Sequence, residues 1–245
     1  MLRVDNEFVF IMYLNNKRIK KLNLQLKELI YSLYNYVDED DIVNAWKNSK
    51  RGKCNIFISI NGIIKGLCIK ENNYNSFHTE SIKNFCNFMY SLGASKEIVT
   101  KYLTYQFADG TINGHGLERM SLNQFRKYHL REIKEINLFL NNEIIKEKAI
   151  DRFIIKGRKS YYAVDAIICG TPDEFRWISI NDVKKMIMKR CKINDNVVHI
   201  GPLLCQPLNR CLNYNNRYSY GRYYVQIKWE SFYDDLDNVR NYNWF

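Results

Sequence analysis

The spacing of apolar residues along the chain predicts both helices and strands. In residues 18–36, leucines and isoleucines recur every three or four positions, which predicts a helix. The apolar run at residues 7–14 predicts a first strand. Acidic residues at 38–41 stand ahead of Ile42, Val43 and Trp46, and this arrangement predicts a helix start, because the positive end of a helix dipole favours acids.

The clearest β pattern lies between residues 54 and 69. Two β-rich runs, 55–60 and 63–69, flank the dipeptide Asn61-Gly62. Both residues tolerate positive φ, as a two-residue type I′ turn requires. The sequence therefore predicts a β-hairpin here.

The rest of the chain divides into helical and strand patterns. Residues 79–92 and 95–107 predict two helices broken at Gly93, and Ser121 with Gln124 forms a capping-box pattern that opens a long helix. The second half predicts several strands and a helix capped by Ser179. The strands are predicted at 151–156, 161–169, 175–178, 197–200 and 222–229, and the helix at 180–191.

These patterns predict an α+β fold. The N-terminal half is expected to be helical with one β-hairpin, and the C-terminal half to form a mixed β-sheet. Nothing near residue 150 has the composition of a flexible linker. We therefore expect one domain over residues 1–245, with possible lobes 1–148, mainly helical, and 149–245, mainly β.

The charge of the chain indicates an anionic partner. The chain has 37 Lys and Arg against 26 Asp and Glu, for a formal net charge of +11. A positive field attracts polyanions, so nucleic acid is the expected partner. An anionic protein or membrane surface is an alternative. A coding bias that enriches Lys, Asn, Ile and Tyr together is another.

The seven cysteines favour a reducing compartment. Their number is odd, no Cys-x-x-Cys occurs, and most lie in apolar runs, as buried small hydrophobes do. No leader peptide and no apolar run long enough to cross a bilayer is evident. We expect a cytoplasmic protein without a membrane span and without a structural metal.

The loop at residues 109–119 is a candidate site. His115 stands between two glycines and can act as an acid or a base near neutral pH. Arg119 offers a planar fork to phosphate or to a guanine edge. The alternative is an ordinary loop between helices, whose glycines serve as caps.

Two basic segments are candidates for nucleic-acid contact. One surrounds a predicted turn, and the other mixes Arg, Tyr and Asn, a composition suited to phosphate binding, stacking and adenine recognition. A solvated basic face is the alternative. The candidate residues are Lys156, Arg158, Lys159, Asn209, Arg210, Asn213, Arg217 and Arg222.

Two predicted strands carry polar residues at positions that suit a catalytic or metal-binding role. Asp165 lies in an otherwise apolar strand, where a carboxylate needs a partner or a metal ion. Gln226, Lys228 and Glu230 alternate, so they share one face of a predicted strand. A hydrogen-bonded structural Asp and an amphipathic strand with a solvated face are the alternatives.

This pattern resembles the signature of type II restriction endonucleases, in which an Asp on one strand joins Glu-x-Lys on the next. Gln226 replaces the usual Glu, and Asp165 lies further away in sequence than is usual. The resemblance implies hydrolysis of phosphodiester bonds with Mg²⁺, with Asp165 as metal ligand, Lys228 stabilising the transition state, and Gln226 or Glu230 completing the catalytic site. It also implies double-stranded DNA as partner and a possible homodimer.

Two other functions remain open from the sequence. One is a nucleic-acid-binding protein without catalysis. The other is a phage-encoded or defence-related protein that binds another protein through its tyrosine-rich surface.

Overall fold

The computed structural model describes residues 5–71, 75–116, 118–158, 162–189, 196–208 and 219–242. The chain divides into two compact units. Unit 1 combines Met1–Tyr74, Ile150–Met186 and Phe232–Phe245, and unit 2 combines Asn75–Ala149 and Ile187–Ser231. Both units thus contain segments from either side of residue 148, so they do not follow the boundary of the predicted lobes.

Unit 1 is built on a six-stranded mixed sheet. In sheet order its strands are β1 (Lys17–Arg18), β2 (Ile42–Lys47), β3 (Ile56–Ile60), β4 (Ile63–Lys70), β6 (Ala166–Thr171) and β7 (Glu174–Ser179). Strands β4 and β6 run parallel, whereas the other neighbours are antiparallel. Its helical segments are α1 (Asn6–Leu14), a 3₁₀ turn (Ile19–Lys21), α2 (Leu24–Leu33), a π-helix (Asp151–Ile155) and α8 (Phe232–Tyr242).

Unit 2 contains a four-stranded antiparallel sheet and several helices. In sheet order the strands are β5 (Ser76–Ser81), β10 (Tyr224–Trp229), β9 (Leu203–Pro207) and β8 (His199–Ile200). The helices are α3 (Ile82–Ser91), α4 (Lys96–Phe107) and α5 (Leu122–Leu140), with a 3₁₀ turn at Ser219–Tyr223. Two further helices, α6 (Glu143–Ile150) and α7 (Ile180–Lys189), each extend across a boundary between the units.

The α+β class is confirmed, but the predicted division into a helical half and a β half is wrong. Strands β1 to β5 all lie in the first 81 residues, and two helices, α7 and α8, lie in the last third of the chain. Groups of helices and groups of strands are therefore interleaved along the chain, as in the four consecutive strands β2 to β5 and the four helices α3 to α6 that follow them.

The predicted strand at residues 7–14 is wrong, because these residues form helix α1. Asp5 caps the helix by accepting a 3.1 Å hydrogen bond from the Glu7 N–H. Phe10 and Leu14, four residues apart, are the buried members of the run. A continuous apolar run fits either structure, so packing on the sheet decides it.

The predicted helix after residues 38–41 is also wrong, because Ile42–Lys47 is strand β2. The acids close a turn instead: Asp41 Oδ2 accepts a 2.8 Å hydrogen bond from the Asp38 N–H. Val43 and Ala45 alternate with exposed residues, which is the pattern of a strand with one buried face.

The predicted hairpin is confirmed. Strands β3 and β4 pair in antiparallel register around Asn61 and Gly62, whose φ angles are 51° and 80°. Their inward residues join the core of unit 1 with residues of α1, α2 and β6. This core consists of Phe10, Leu14, Ile19, Leu22, Leu26, Leu29, Ile30, Tyr34, Val43, Ala45, Ile56, Ile58, Ile60, Leu67, Ile69, Ala166, Ile168 and Phe175.

The predicted helix caps are confirmed. Ser95 begins α4, and Ser121 with Gln124 forms both hydrogen bonds of a capping box at the start of α5. Ser179 accepts a 3.1 Å hydrogen bond from the Asp182 N–H at the start of α7. These local contacts depend on a few neighbouring residues, so the sequence alone reveals them.

Other predictions of the second half are corrected. Residues 151–155 form a π-helix that continues α6, not a strand, because their buried apolar run fits either structure. The predicted strands near 175–178 and 222–229 are present as β7 and β10. Strand β9 and helix α8 were not predicted. In the first half, β5 was not predicted either, and its residues 79–81 belonged to a predicted helix.

Gly66 allows two segments of unit 1 to approach closely. A Cβ at this position would lie 2.5 Å from the backbone oxygen of Ala163. The Asp165 N–H donates a 2.7 Å hydrogen bond to the Gly66 carbonyl, which leads directly into the parallel pairing of β4 with β6. Gly66 therefore makes room for the chain that enters β6.

Two findings bear on the cellular expectations. Within the described residues, no helix is long and apolar enough to cross a membrane. Five cysteines among those residues are free and buried, as the apolar runs predicted: Cys54, Cys68, Cys86, Cys169 and Cys205.

We expect Gly66→Ala to destabilise the protein by about 1–3 kcal/mol, because a methyl group would be forced against the Ala163 carbonyl. The matched control is Ile64→Ala, on the same strand at a side chain that is 54% exposed, which should change stability by only about 0.5 kcal/mol. Urea unfolding monitored by circular dichroism measures both. Equal midpoints for Gly66→Ala and the unmodified protein would contradict this.

Candidate functional site

Asp165 lies directly before β6, and both of its carboxylate oxygens have partners. Oδ1 is 3.2 Å from Lys65 Nζ, and Oδ2 accepts a 2.8 Å hydrogen bond from the Gly66 N–H. With Tyr34, Asp165 and Lys65 line a cleft of about 480 Å³ in unit 1. Burial raises the pKa of Tyr34 well above its ordinary value, and the Asp165 charge adds to the shift. The structural alternative accounts for these contacts, and the metal role of Asp165 stays a prediction.

Gln226 and Lys228 share one face of β10 in unit 2, as the alternation predicted. They alternate with the buried Val225, Ile227 and Trp229. The Gln226 side chain donates a 3.1 Å hydrogen bond to Ser76 Oγ and accepts one of 3.3 Å from Gln206.

Glu230 follows the end of β10 and is exposed. The structure places Asp165 directly before β6 in unit 1, and Gln226 and Lys228 on β10 in the sheet of unit 2. It therefore does not bring the sequence-predicted set together on adjacent strands, as the signature has them. Their joint catalytic role stays a prediction.

The loop at residues 109–116 is organised around Asp109. Its carboxylate accepts hydrogen bonds from the N–H groups of Thr111 and Gly116, and it lies 3.5 Å from Arg222 Nη2. Arg222 also donates a 2.8 Å hydrogen bond to the Gly114 carbonyl, and its side chain is 2% exposed. Arg222 therefore stabilises the loop from inside, instead of offering a surface charge to DNA.

The other candidates of this loop have different environments. Arg119 donates hydrogen bonds of 3.3 and 3.2 Å to the carbonyls of Tyr105 and Gln106 at the end of α4. These contacts cap that helix. His115 is exposed, and its ring lies 6.4 Å from that of Tyr223. The catalytic role of His115 stays a prediction.

The basic segments are described only in part. Lys156 and Arg158 are exposed in unit 1, directly after the π-helix. The remaining candidates of these segments lie outside the described residues: Lys159, Asn209, Arg210, Asn213 and Arg217.

A group of residues that the sequence analysis did not single out lies where β4 ends. Asn55 precedes β3, and its side-chain oxygen accepts a 2.8 Å hydrogen bond from the Ile69 N–H. Its amide nitrogen donates a 2.7 Å hydrogen bond to Glu7 on α1. We call Glu7, Asn55 and the two β4 residues Cys68 and Lys70 the carboxyl-end cluster.

Burial and nearby charged side chains shift the pKa of two thiols, Cys68 in this cluster and Cys169 on β6. Burial raises the pKa of Cys68; Lys70 and Lys53 oppose the shift and Glu7 adds to it. Burial likewise raises the pKa of Cys169 on β6 to about 12, and Lys70 again opposes the shift. Lys70 ends β4 and is paired with Cys169 on β6, so it lies near the ends of both parallel strands.

The sheet of unit 1 gives this cluster a characteristic position. Strands β2, β3, β4, β6 and β7 are neighbours in that order, and β3 and β7 run opposite to the other three. Ligands of open α/β sheets bind beyond the carboxyl ends of parallel strands. Lys70 is the last residue of β4, so the carboxyl-end cluster lies at such an end.

The fold of the chain is similar to that of a restriction endonuclease. One similar solved structure is that of the restriction endonuclease MspI in complex with its cognate DNA. The TM-score is 0.59, the identity is 13%, and the similarity covers 91% of this chain and 87% of MspI. No protein-family model and no curated protein matches the sequence. The predicted resemblance is thereby confirmed for the fold.

One pattern in the sequence pointed to the missed cluster. The Asn61-Gly62 hairpin was predicted, and the register of its two-residue turn places Asn55 opposite Cys68. Lys70 lies two residues further along β4. Neither Asn55 nor Cys68 is an acid, so the sequence analysis did not match these strands to the Asp and Glu-x-Lys signature.

We expect Asp109→Asn to destabilise the protein by about 3 kcal/mol or more, because it leaves the Arg222 charge buried without its anionic partner. Guanidinium unfolding measures the free energy. The control His115→Ala removes an exposed side chain of the same loop and should cost only about 0.5 kcal/mol. An unchanged stability for Asp109→Asn would show that Arg222 does not depend on this carboxylate.

Proposed function

We propose that this protein binds double-stranded DNA and hydrolyses its phosphodiester bonds with the help of Mg²⁺. The observation that carries the proposal is the fold, which over 91% of the chain is similar to that of an endonuclease crystallised with its DNA. The formal charge of +11 supports a polyanionic partner. Lys156 and Arg158, exposed in unit 1, are proposed DNA contacts.

We propose the carboxyl-end cluster as the catalytic centre. The restriction endonuclease signature places an Asp on one strand and Glu-x-Lys on the next. Strands β3 and β4 are consecutive and adjacent, with Asn55 before the first and Cys68-Ile69-Lys70 at the end of the second. Lys70 keeps the lysine of the signature, whereas Asn55 and Cys68 stand at the positions of its acids.

We propose Glu7 as the carboxylate that would hold the metal ion at this cluster, where its Oε2 lies 2.8 Å from Lys47 Nζ. Mg²⁺ commonly takes one or two protein carboxylates and completes its shell with waters and substrate phosphates. The side-chain oxygen of Asn55, which has a second lone pair, is a further hard ligand beside Glu7. When bound, the ion would activate a water molecule and stabilise charge on the phosphate.

The protein groups of the cluster have separate roles in this proposal. Lys70 places a positive charge beside the phosphate, where negative charge grows during hydrolysis. The Ile69 N–H and Glu7 hold the Asn55 amide in one orientation. Cys68 stays a neutral thiol, because burial raises its pKa, and a neutral thiol is a poor metal ligand.

A second function is DNA binding without cleavage. Asn55 and Cys68 favour this second function. They stand where the signature has its two acids, so the cluster has one carboxylate, that of Glu7. Within the described residues, no three His, Cys, Asp or Glu side chains form a group able to hold a metal. This alternative keeps the fold and the basic surface and requires no metal.

The catalytic residues assigned from the sequence stay a prediction, as an alternative to the carboxyl-end cluster. This assignment gives the metal to Asp165, transition-state stabilisation to Lys228, and supporting roles to Gln226, Glu230 and His115. One cleavage assay tests both assignments.

We expect Lys70→Ala to lower the rate of plasmid cleavage by roughly 10²- to 10³-fold, as for the loss of one charge-stabilising group. DNA affinity, measured in EDTA by fluorescence anisotropy, should change by less than about threefold, as for the loss of one contact. Lys21→Ala, at an exposed lysine of unit 1, is the control and should leave both unchanged.

The same assay compares the two assignments. Cleavage that survives Lys70→Ala but is lost with folded Asp165→Ala would move the catalytic centre to Asp165. Binding without any Mg²⁺-dependent nicking by the unmodified protein would establish the second function instead.

We expect Glu7→Gln to raise the Mg²⁺ concentration for half-maximal cleavage by about tenfold or more, because the cluster loses its carboxylate. Asp5→Asn is a matched control: Asp5 also lies 2.8 Å from Lys47, and Asn can still cap α1. Titration of cleavage against Mg²⁺ measures both. Identical titrations for Glu7→Gln and the unmodified protein would remove Glu7 from the metal site.

A further inference from the structure

Three aromatic rings form a row on one side of the unit 1 sheet. The Trp46 and Phe57 centroids are 5.8 Å apart, and those of Phe57 and Tyr162 are 4.8 Å apart. Phe57 is only 6% exposed, whereas Trp46 and Tyr162 are 39% and 43% exposed. A buried ring thus supports two rings that present surface to solvent.

The backbone positions this row. Trp46 on β2 lies directly opposite Phe57 on β3, and Phe57 lies opposite Gly66 on β4. Residues directly opposite each other point to the same face of a sheet. Because Gly66 has no side chain, the segment at 162–165 passes over it, and this brings Tyr162 against Phe57.

One cation contacts the row, and others lie on the loop beside it and on an adjoining turn. Lys50 Nζ lies 5.8 Å from the centroid of the Tyr162 ring, and Arg51 beside it is exposed. A Cβ on Gly157 would be 3.5 Å from Lys53 Cγ, so the turn that carries Lys156 and Arg158 adjoins this loop. We call these residues the aromatic–basic face: Trp46, Phe57, Tyr162, Lys50, Arg51, Lys53, Lys156 and Arg158.

The face is positive without nearby acids in sequence. Residues 48–58 and 156–164 contain six lysines and arginines and no Asp or Glu. The sequence analysis predicted a helix that starts at the acidic residues 38–41 and carries Trp46, so it did not identify this loop. Strand β2 instead ends at Lys47 and delivers the loop beside the rings.

This combination suits one ligand. A phosphate chain meets the cations, and exposed aromatic rings stack on the faces of unpaired bases. In a duplex those faces are hidden by neighbouring base pairs, so it would use the cations but not the rings. An acidic peptide would likewise use only the charges.

We propose that the aromatic–basic face binds a single-stranded segment of nucleic acid, with bases stacked on Trp46 and Tyr162 and phosphates held by Lys50, Arg51, Lys156 and Arg158. The proposal rests on the proposed function for its partner class, nucleic acid. It does not depend on catalysis or on the carboxyl-end cluster.

The test compares three fluorescein-labelled ligands of equal length in EDTA, where metal-dependent cleavage does not occur. They are an oligo(dT), the same chain with abasic sites, and a duplex. We expect oligo(dT) to bind more tightly than the abasic chain. Trp46→Ala and Tyr162→Ala should each weaken oligo(dT) binding by roughly 5- to 150-fold, as for one stacked base, with little effect on the abasic chain.

Control variants separate stacking from charge and from folding. Tyr36→Ala removes a ring that is 92% exposed elsewhere in unit 1 and should have no effect. Trp46→Phe keeps a ring at the site, so it should retain most of the affinity while losing most of the tryptophan fluorescence quenching caused by oligo(dT). Lys50→Glu should weaken binding of all three ligands, and Lys21→Glu should affect them much less.

Equal binding of oligo(dT) and the abasic chain, or unchanged affinity in folded Tyr162→Ala, would overturn the proposal. Tighter binding of the duplex, insensitive to Trp46→Ala, would also overturn it, yet leave the proposed endonuclease intact. Base-dependent binding of oligo(dT) without nicking of plasmid would support the face and reject catalysis.

Discussion

The parallel pairing of β4 with β6 is the constraint on which the rest of unit 1 depends. Gly66 makes it possible, since its missing side chain lets the chain enter β6 within hydrogen-bond distance. Asp165 then joins the two strands through the Gly66 N–H and the Lys65 ammonium. This pairing brings Lys70 near Cys169 at the carboxyl ends and places Tyr162 against Phe57 at the other candidate surface.

Two of the charged residues that sequence analysis proposed for function are paired with other charged residues inside the fold. Asp165 pairs with Lys65, and Arg222 lies inside unit 2 beside Asp109. A charge removed from water must find such partners, so a charged residue within an apolar pattern indicates a structural contact as readily as a reaction. Exposed cations such as Lys50, Arg51, Lys156 and Arg158 lie instead on loops, where the charges stay in water and pay no cost of desolvation.

Sequence patterns predicted the parts of the fold that depend on neighbouring residues. Asn61-Gly62, Ser95, Ser121 and Ser179 each end or begin an element through contacts within a few positions. The apolar runs at 7–14 and 151–155 were predicted as strands but are helical. Such runs suit either a strand or a helix, and only packing distinguishes the two. For the candidate site, the hairpin was predicted, but its acid-free ends at Asn55 and Lys70 concealed the cluster.

The sequence by itself determined the α+β class, the hairpin, the helix caps and the excess of positive charge, because these follow from local backbone preferences and composition. Only the tertiary structure decided that β4 pairs with β6, some hundred residues later in the chain, and that Glu7, Asn55 and Lys70 gather at their ends. Such contacts depend on long-range burial shared among many residues. No short segment encodes them, so they emerge only when the core of unit 1 is assembled.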